Sequence, residues 1–217
     1  MTILLTNPDY DETTGYLFHY NKELIKFAEE RGIKLVNLKR PNLTKSNFEK
    51  QIKDKNPDLL LMNGHGNEKI IYGDRIKGKE EPIIEDGKNH GLLKNKLVYA
   101  RSCWTAVCLG KRFSKGDGCF IGYIVPFQFW VDERMSIPAK DKTAKLFFMP
   151  SNLLAKSLIK GNPAIESIRK FREETKKNIM YLLKNKNEPG TMSLIMILWS
   201  NMEGQRIFGD INMCYSP

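Results

Sequence analysis

Apolar residues recur along this chain in short blocks separated by polar stretches of helical spacing. Ile3-Leu4-Leu5, residues 34–38, Leu59-Leu60-Leu61-Met62, Leu97-Val98-Tyr99-Ala100 and Phe120-Ile121 are continuous or nearly continuous apolar runs, the pattern of strands buried on both faces. Between the first two, residues 13–31 place Leu24, Phe27 and Ala28 on one helical face and stop at Gly32. Another helix begins after Thr44, its expected N-cap, with Asn47 where a capping box prefers Glu or Gln. Residues 105–113 read as a helix, and Ile165, Ile168, Phe171 and Ile179 mark the apolar face of a later one. Residues 68–86, with Ile70, Ile71 and Tyr72 and then Pro82, Ile83 and Ile84, predict a small hairpin over the sheet edge. The run Leu194-Ile195-Met196-Ile197-Leu198-Trp199 reads as a last buried strand. Strands alternating with helices predict an α/β fold, a three-layer αβα sandwich with a mostly parallel sheet. At 217 residues the whole chain reads as a single domain.

Composition narrows the class. An apolar fraction of 41% and a charged fraction of 28% are those of an ordinary globular protein, which excludes disorder. The formal net charge of +10 comes largely from lysines dispersed along the chain, without a block of like charge, so a solvated basic surface is expected and nucleic acid is disfavoured as a partner. The most basic stretch, Arg169-Lys170-Phe171-Arg172 with Lys176 and Lys177, falls on the polar side of a helical pattern. Residues 1–8 read as a strand rather than a secretory signal, and no apolar run approaches the roughly 20 residues of a membrane span. Four cysteines without a paired spacing point to neither a metal site nor a disulfide framework; a free thiol suits the cytoplasm. No metal or cofactor is expected.

Two strand ends carry chemistry. The third apolar block runs into Gly64-His65-Gly66 and the fourth into Arg101-Ser102-Cys103-Trp104. If these strands are neighbours in a parallel sheet, an imidazole and a thiol meet at its carboxyl edge, where open α/β sheets place their sites. A free thiol, of pKa about 8.5, is mostly protonated at neutral pH, and His65 is placed to take its proton and return one to a leaving amine. The backbone N–H groups of Gly66 and Cys103 are candidates for an oxyanion hole. The remaining histidines, His19 and His90, and the remaining cysteines, Cys108, Cys119 and Cys214, lack this strand-end placement.

The order of strand, His-Gly, spacer, strand and Cys resembles the caspase-like (clan CD) cysteine peptidases, and within them the CHAT family. The resemblance rests on Gly64-His65-Gly66, Cys103-Trp104-Thr105-Ala106, the strand 118–123 running to Trp130-Val131-Asp132-Glu133, and the segment Leu154 to Ile165, and it spans roughly residues 55 to 175. It implies a thiol protease with a His65-Cys103 dyad acting as an endopeptidase on a protein or peptide substrate, with a catalytically idle binding or scaffold module as the alternative. The short turn at 115–118 leaves no room for the linker that is cut in caspases, and no attached sensor or adaptor domain is expected. A regulatory or adaptor protein acting in trans is therefore expected, with the loop 126–142 and its Phe127, Phe129 and Trp130 as the switch.

Resemblance also implies that the residue two before the cysteine can line the primary pocket. Arg101 there would favour an acidic side chain through a bidentate pair. Asp132 and Glu133 would favour a basic one, or pair with Arg101 and leave the pocket neutral. A further possibility is that Arg101 points into a polar layer, since strand-end residues alternate in direction.

Overall fold

The computed structural model describes residues 2–132, 135 and 137–215. Five parallel strands and one antiparallel strand form a single sheet in the order β2-β1-β3-β6-β7-β8, comprising β1 (Thr2–Asn7), β2 (Lys34–Lys39), β3 (Leu59–Asn63), β6 (Lys96–Arg101), β7 (Gly118–Tyr123) and β8 (Gln205–Gly209). A separate antiparallel hairpin joins β4 (Ile70–Ile76) to β5 (Lys79–Glu85). The helices are α1 (Glu12–Glu29), α2 (Lys45–Lys55), α3 (Lys142–Ile159), α4 (Ala164–Leu183) and α5 (Thr191–Gly204).

The two faces of the sheet follow the two-residue period of the strands. Ile3, Leu5, Leu59, Leu61, Leu97 and Tyr99 bury against Tyr16, Leu17 and Leu24 of α1, Phe148 and Leu158 of α3, and Ile168 of α4. The intervening residues Leu4, Leu60, Met62, Val98 and Phe120 bury against Phe48 and Ile52 of α2, Ile71, Ile83 and Ile84 of the hairpin, and Phe113. The result is the expected three-layer α/β sandwich. The hairpin lies on the α2 face as part of that core, rather than only along the edge.

Thr44 is the N-cap of α2, accepting from the Asn47 amide at 3.3 Å. Two local expectations fail. Residues 105–113 are a series of turns ending in a short 3-10 helix, Gly110–Arg112, because the amides are drawn elsewhere. Trp104 and Ala106 donate to Val125 and Tyr123, and Leu109 to Glu68, instead of to carbonyls four residues back. The run at 194–199 is helical, inside α5, where Leu198 is buried while Met196 and Trp199 stand exposed. The last strand is β8, whose lower apolar content conceals it and which pairs antiparallel with β7. On α4 the basic stretch is partly neutralised: Arg169 pairs with Glu166 and Glu173, and Lys177 with Glu174. Among the described residues no helix is long and apolar enough to cross a membrane.

β1 leads outward to β2, and the chain then crosses to β3 on the other side of β1, so the order reverses between β1 and β3. The carboxyl ends at such a reversal leave a crevice between diverging connections. The residues that follow β1, β3 and β6 are gathered there.

Candidate active site

β3 and β6 are adjacent and parallel, in register at Asn63↔Arg101, so His65 and Cys103 each lie two residues beyond the same rung. The turns that follow are in contact. Ser102 Oγ donates to the Gly64 carbonyl at 2.8 Å. A Cβ on Gly66 would fall 2.9 Å from the Ser102 Cβ and 3.1 Å from the Thr105 Cγ2, distances that only glycine tolerates. Gly64 has φ of +137°, a conformation open to glycine, and its Cα faces the Tyr72 carbonyl.

The histidine turn is also sewn to the hairpin. The Tyr72 amide donates to the His65 carbonyl at 3.0 Å, and the Asn67 amide to the Ile70 carbonyl at 2.9 Å. These two bonds flank the Gly66↔Ile71 bridge and use neither polar group of Gly66, the pattern of a pair without hydrogen bonds of its own. The Gly66 N–H is thereby left outside the ladder, as an oxyanion donor requires. Gly66→Ala is expected to keep the protein folded but push the two turns apart, lowering the rate of Cys103 alkylation and any hydrolysis at least 10-fold, as misplacement of one catalytic group does. Thermal melting alongside alkylation kinetics would check this; an unchanged rate would show that the contact is not needed.

Cys103 opens a sharp turn. Trp104 has φ of +56°, a left-handed conformation that costs a non-glycine residue about 1 to 2 kcal/mol. Its amide donates to the Val125 carbonyl at 3.1 Å, fastening the turn to the end of β7. The partly buried Cys103 thiol is pushed up by burial, against which the Phe127 amide and its own amide stabilise the thiolate. Cys119 lies wholly inside the sheet, its thiol pushed up to about 12 by burial and by Asp210, which removes it as a nucleophile. Cys108 is partly buried and Cys214 exposed.

His65 is half-exposed, and its Nε2 lies 2.9 Å from Asp11 Oδ2 and 3.9 Å from Glu80 Oε1. Among the described residues no hydrogen bond joins the ring to the Cys103 sulfur; the ring is bonded to Asp11. Asp11 and its neighbours Tyr10, Arg75 and Glu80 were not expected from sequence. The Tyr10 hydroxyl donates to Glu80 at 3.0 Å, and Arg75 lies over the Tyr10 ring with Nη2 3.6 Å from both carboxylates. Donor atoms of Asp11, His65 and Glu80 lie within 4.8 Å of one another, near enough to share a cation, but the Arg75 guanidinium already brings positive charge to that spot.

The two expected substrate-binding residues are not brought together. Arg101 is not a pocket wall in this structure: it is fully buried on the α1/α3 face, 2% exposed. Its Nε donates to Asn63 at 2.7 Å, Nη1 to Asn152 at 2.9 Å and Ser151 at 3.2 Å, and Nη2 to Asn21. The sequence reading that placed Arg101 in a polar layer is the one this geometry matches, and selection of acidic side chains through it loses its basis. Asp132 lines an open cleft of about 510 Å³ with Trp130, Val131, Thr143, Pro189, Gly190 and Leu194. Its amide donates to Asp141 at 2.9 Å. Glu133 lies outside the described residues.

The start of the expected switch loop is anchored. Phe127 is buried, Phe129 packs 4.6 Å from Phe148, and the Asn201 side chain both accepts from the Gln128 amide and donates to its carbonyl. Trp130 is exposed. No protein-family model matches the chain, and no curated protein matches it.

Proposed function

We propose that the chain is a caspase-like cysteine endopeptidase, similar to the CHAT family, that hydrolyses peptide bonds in a protein or peptide substrate. The observation that carries this reading is the in-register parallel pairing of β3 with β6, which sets His65 and Cys103 on touching turns at the sheet's carboxyl edge. In the first step His65 takes the thiol proton as Cys103 Sγ attacks the scissile carbonyl, and the oxyanion is held by the N–H groups of Gly66 and Cys103. The C–N bond then breaks, the leaving amine receives that proton from His65, and a thioester remains. Water gives a proton to His65 as it attacks the thioester, and the thiolate leaves and is reprotonated. Because burial raises the Cys103 thiol, the resting group is protonated at neutral pH and the base is essential.

A second reading, an idle scaffold on the same fold, is favoured by the lack, among the described residues, of a hydrogen bond between the His65 ring and the Cys103 sulfur. Under the peptidase reading, a partner acting in trans would close the ring onto the thiol; the peptidase and its gating partner are proposed for a cytoplasmic setting.

Treatment with a pool of peptidyl acyloxymethyl ketones, followed by mass spectrometric mapping, separates the two readings. Label on Cys103 that disappears in His65→Ala supports the peptidase, with Cys119 unlabelled as an internal control. Labelling of Cys103 indifferent to His65, with and without extract from the source cells, would leave the scaffold.

A further inference from the structure

We propose that Asp11 is a positioning residue for His65, fixing which ring nitrogen serves as the base; this rests on the peptidase reading above. The two carboxylate oxygens have separate tasks. Oδ1 caps α1, accepting from the Thr14 amide and hydroxyl, each at 2.8 Å. The Thr14 hydroxyl in turn accepts from the Asp11 amide at 3.0 Å, closing a capping box that stops the carboxylate from rotating. Oδ2 is left facing His65 Nε2 at 2.9 Å.

An ionised carboxylate only accepts hydrogen bonds, so in the neutral ring the proton sits on Nε2 and Nδ1 is bare. Asp11 meets that requirement. Burial works to raise its carboxyl, but the bonds from Thr14 and His65 outweigh burial and hold it below the usual carboxylate range. When His65 takes the thiol proton, the new charge on the ring faces Asp11 directly and Glu80 at 3.9 Å, with Arg75 offsetting part of their negative charge. Glu80 cannot substitute for Asp11, since it lies beyond hydrogen-bonding distance and already accepts from Tyr10.

Asp11→Asn isolates the role. Asparagine caps a helix as well as aspartate does, so α1 is retained. Its amide can donate to Nε2, which drives the ring proton to Nδ1 and removes the base; in the serine-protease triad the equivalent change lowers kcat about 10⁴-fold.

Imidazole nitrogen spectra of ¹⁵N-labelled protein and the pH profile of Cys103 alkylation by iodoacetamide supply the readouts. The wild type is expected to carry its ring proton on Nε2. Asp11→Asn should move the proton to Nδ1, slow alkylation about 10² to 10⁴-fold at neutral pH, and leave the melting temperature unchanged. A wild-type ring proton on Nδ1, or an alkylation profile unchanged in Asp11→Asn both with and without extract from the source cells, would overturn the assignment. Failure of the peptidase reading has its own signature, alkylation indifferent to His65→Ala with and without extract from the source cells, and the ring spectra then still decide whether Asp11 sets the tautomer.

Discussion

Cys103→Ala and His65→Ala are each expected to lower peptide hydrolysis by at least about 10⁴-fold, and the double variant to be no slower than either single one. Under the peptidase reading the two groups act as one unit: without the thiol there is nothing for the imidazole to deprotonate, and without the imidazole a thiol raised by burial stays protonated. Their losses therefore do not add. Neither residue lies in the apolar core, so melting temperatures should change little. Cys108→Ala and Cys119→Ala serve as controls, the second carrying a modest stability cost because Cys119 packs inside β7. The measurement is turnover of a mixed peptide library, with extract from the source cells supplied in parallel to satisfy any partner. Hydrolysis that survives Cys103→Ala but vanishes in Cys108→Ala would assign the chemistry to another thiol.

What the sequence made legible was what repeats locally. The central strands announce themselves because both faces are buried, which leaves Leu59 to Met62 and Leu97 to Ala100 apolar at every position. The placement of His65 and Cys103 at neighbouring strand ends was legible for the same reason, since each follows such a run after two residues. Asp11 was not, because its importance depends on β1 lying beside β3, a fact of topology rather than of spacing. The one local signal was its capping box with Thr14, which marks a helix start but gives no hint that the second oxygen reaches His65. Arg75 and Glu80 arrive from the hairpin, whose alternation fixes its faces but not what its exposed side meets.

Residues 191–204 misled for a different physical reason. The run Leu194 to Trp199 is apolar on all sides, so periodicity cannot separate a buried strand from a helix. Gly190, with φ of +81°, turns the chain directly into α5, and the helix ends where β8 starts at Gln205. In the segment after Cys103, the left-handed Trp104 and the amides drawn to β7 override the helical pattern. Trp has no intrinsic preference for that conformation, so nothing in its identity signals the turn.

Arg101→Ala is expected to unsettle the fold rather than alter specificity. Deleting the guanidinium leaves the Asn21, Asn63 and Asn152 side chains without the donor they share and opens a cavity on the α1/α3 face. Breaking a buried charged cluster of this kind costs about 3 to 5 kcal/mol. For a chain of this size that corresponds to a fall in melting temperature of roughly 6 to 20 °C. Arg101→Lys should recover only part of the loss, because one ammonium cannot reproduce the forked bonds to Asn63, Asn152 and Asn21. A pocket residue behaves differently: its removal leaves the melting temperature in place and weakens cleavage after Asp or Glu in a peptide library. Calorimetry and library profiling on the same two variants therefore decide between the roles, and an unchanged melting temperature with lost acidic preference would return Arg101 to the substrate pocket.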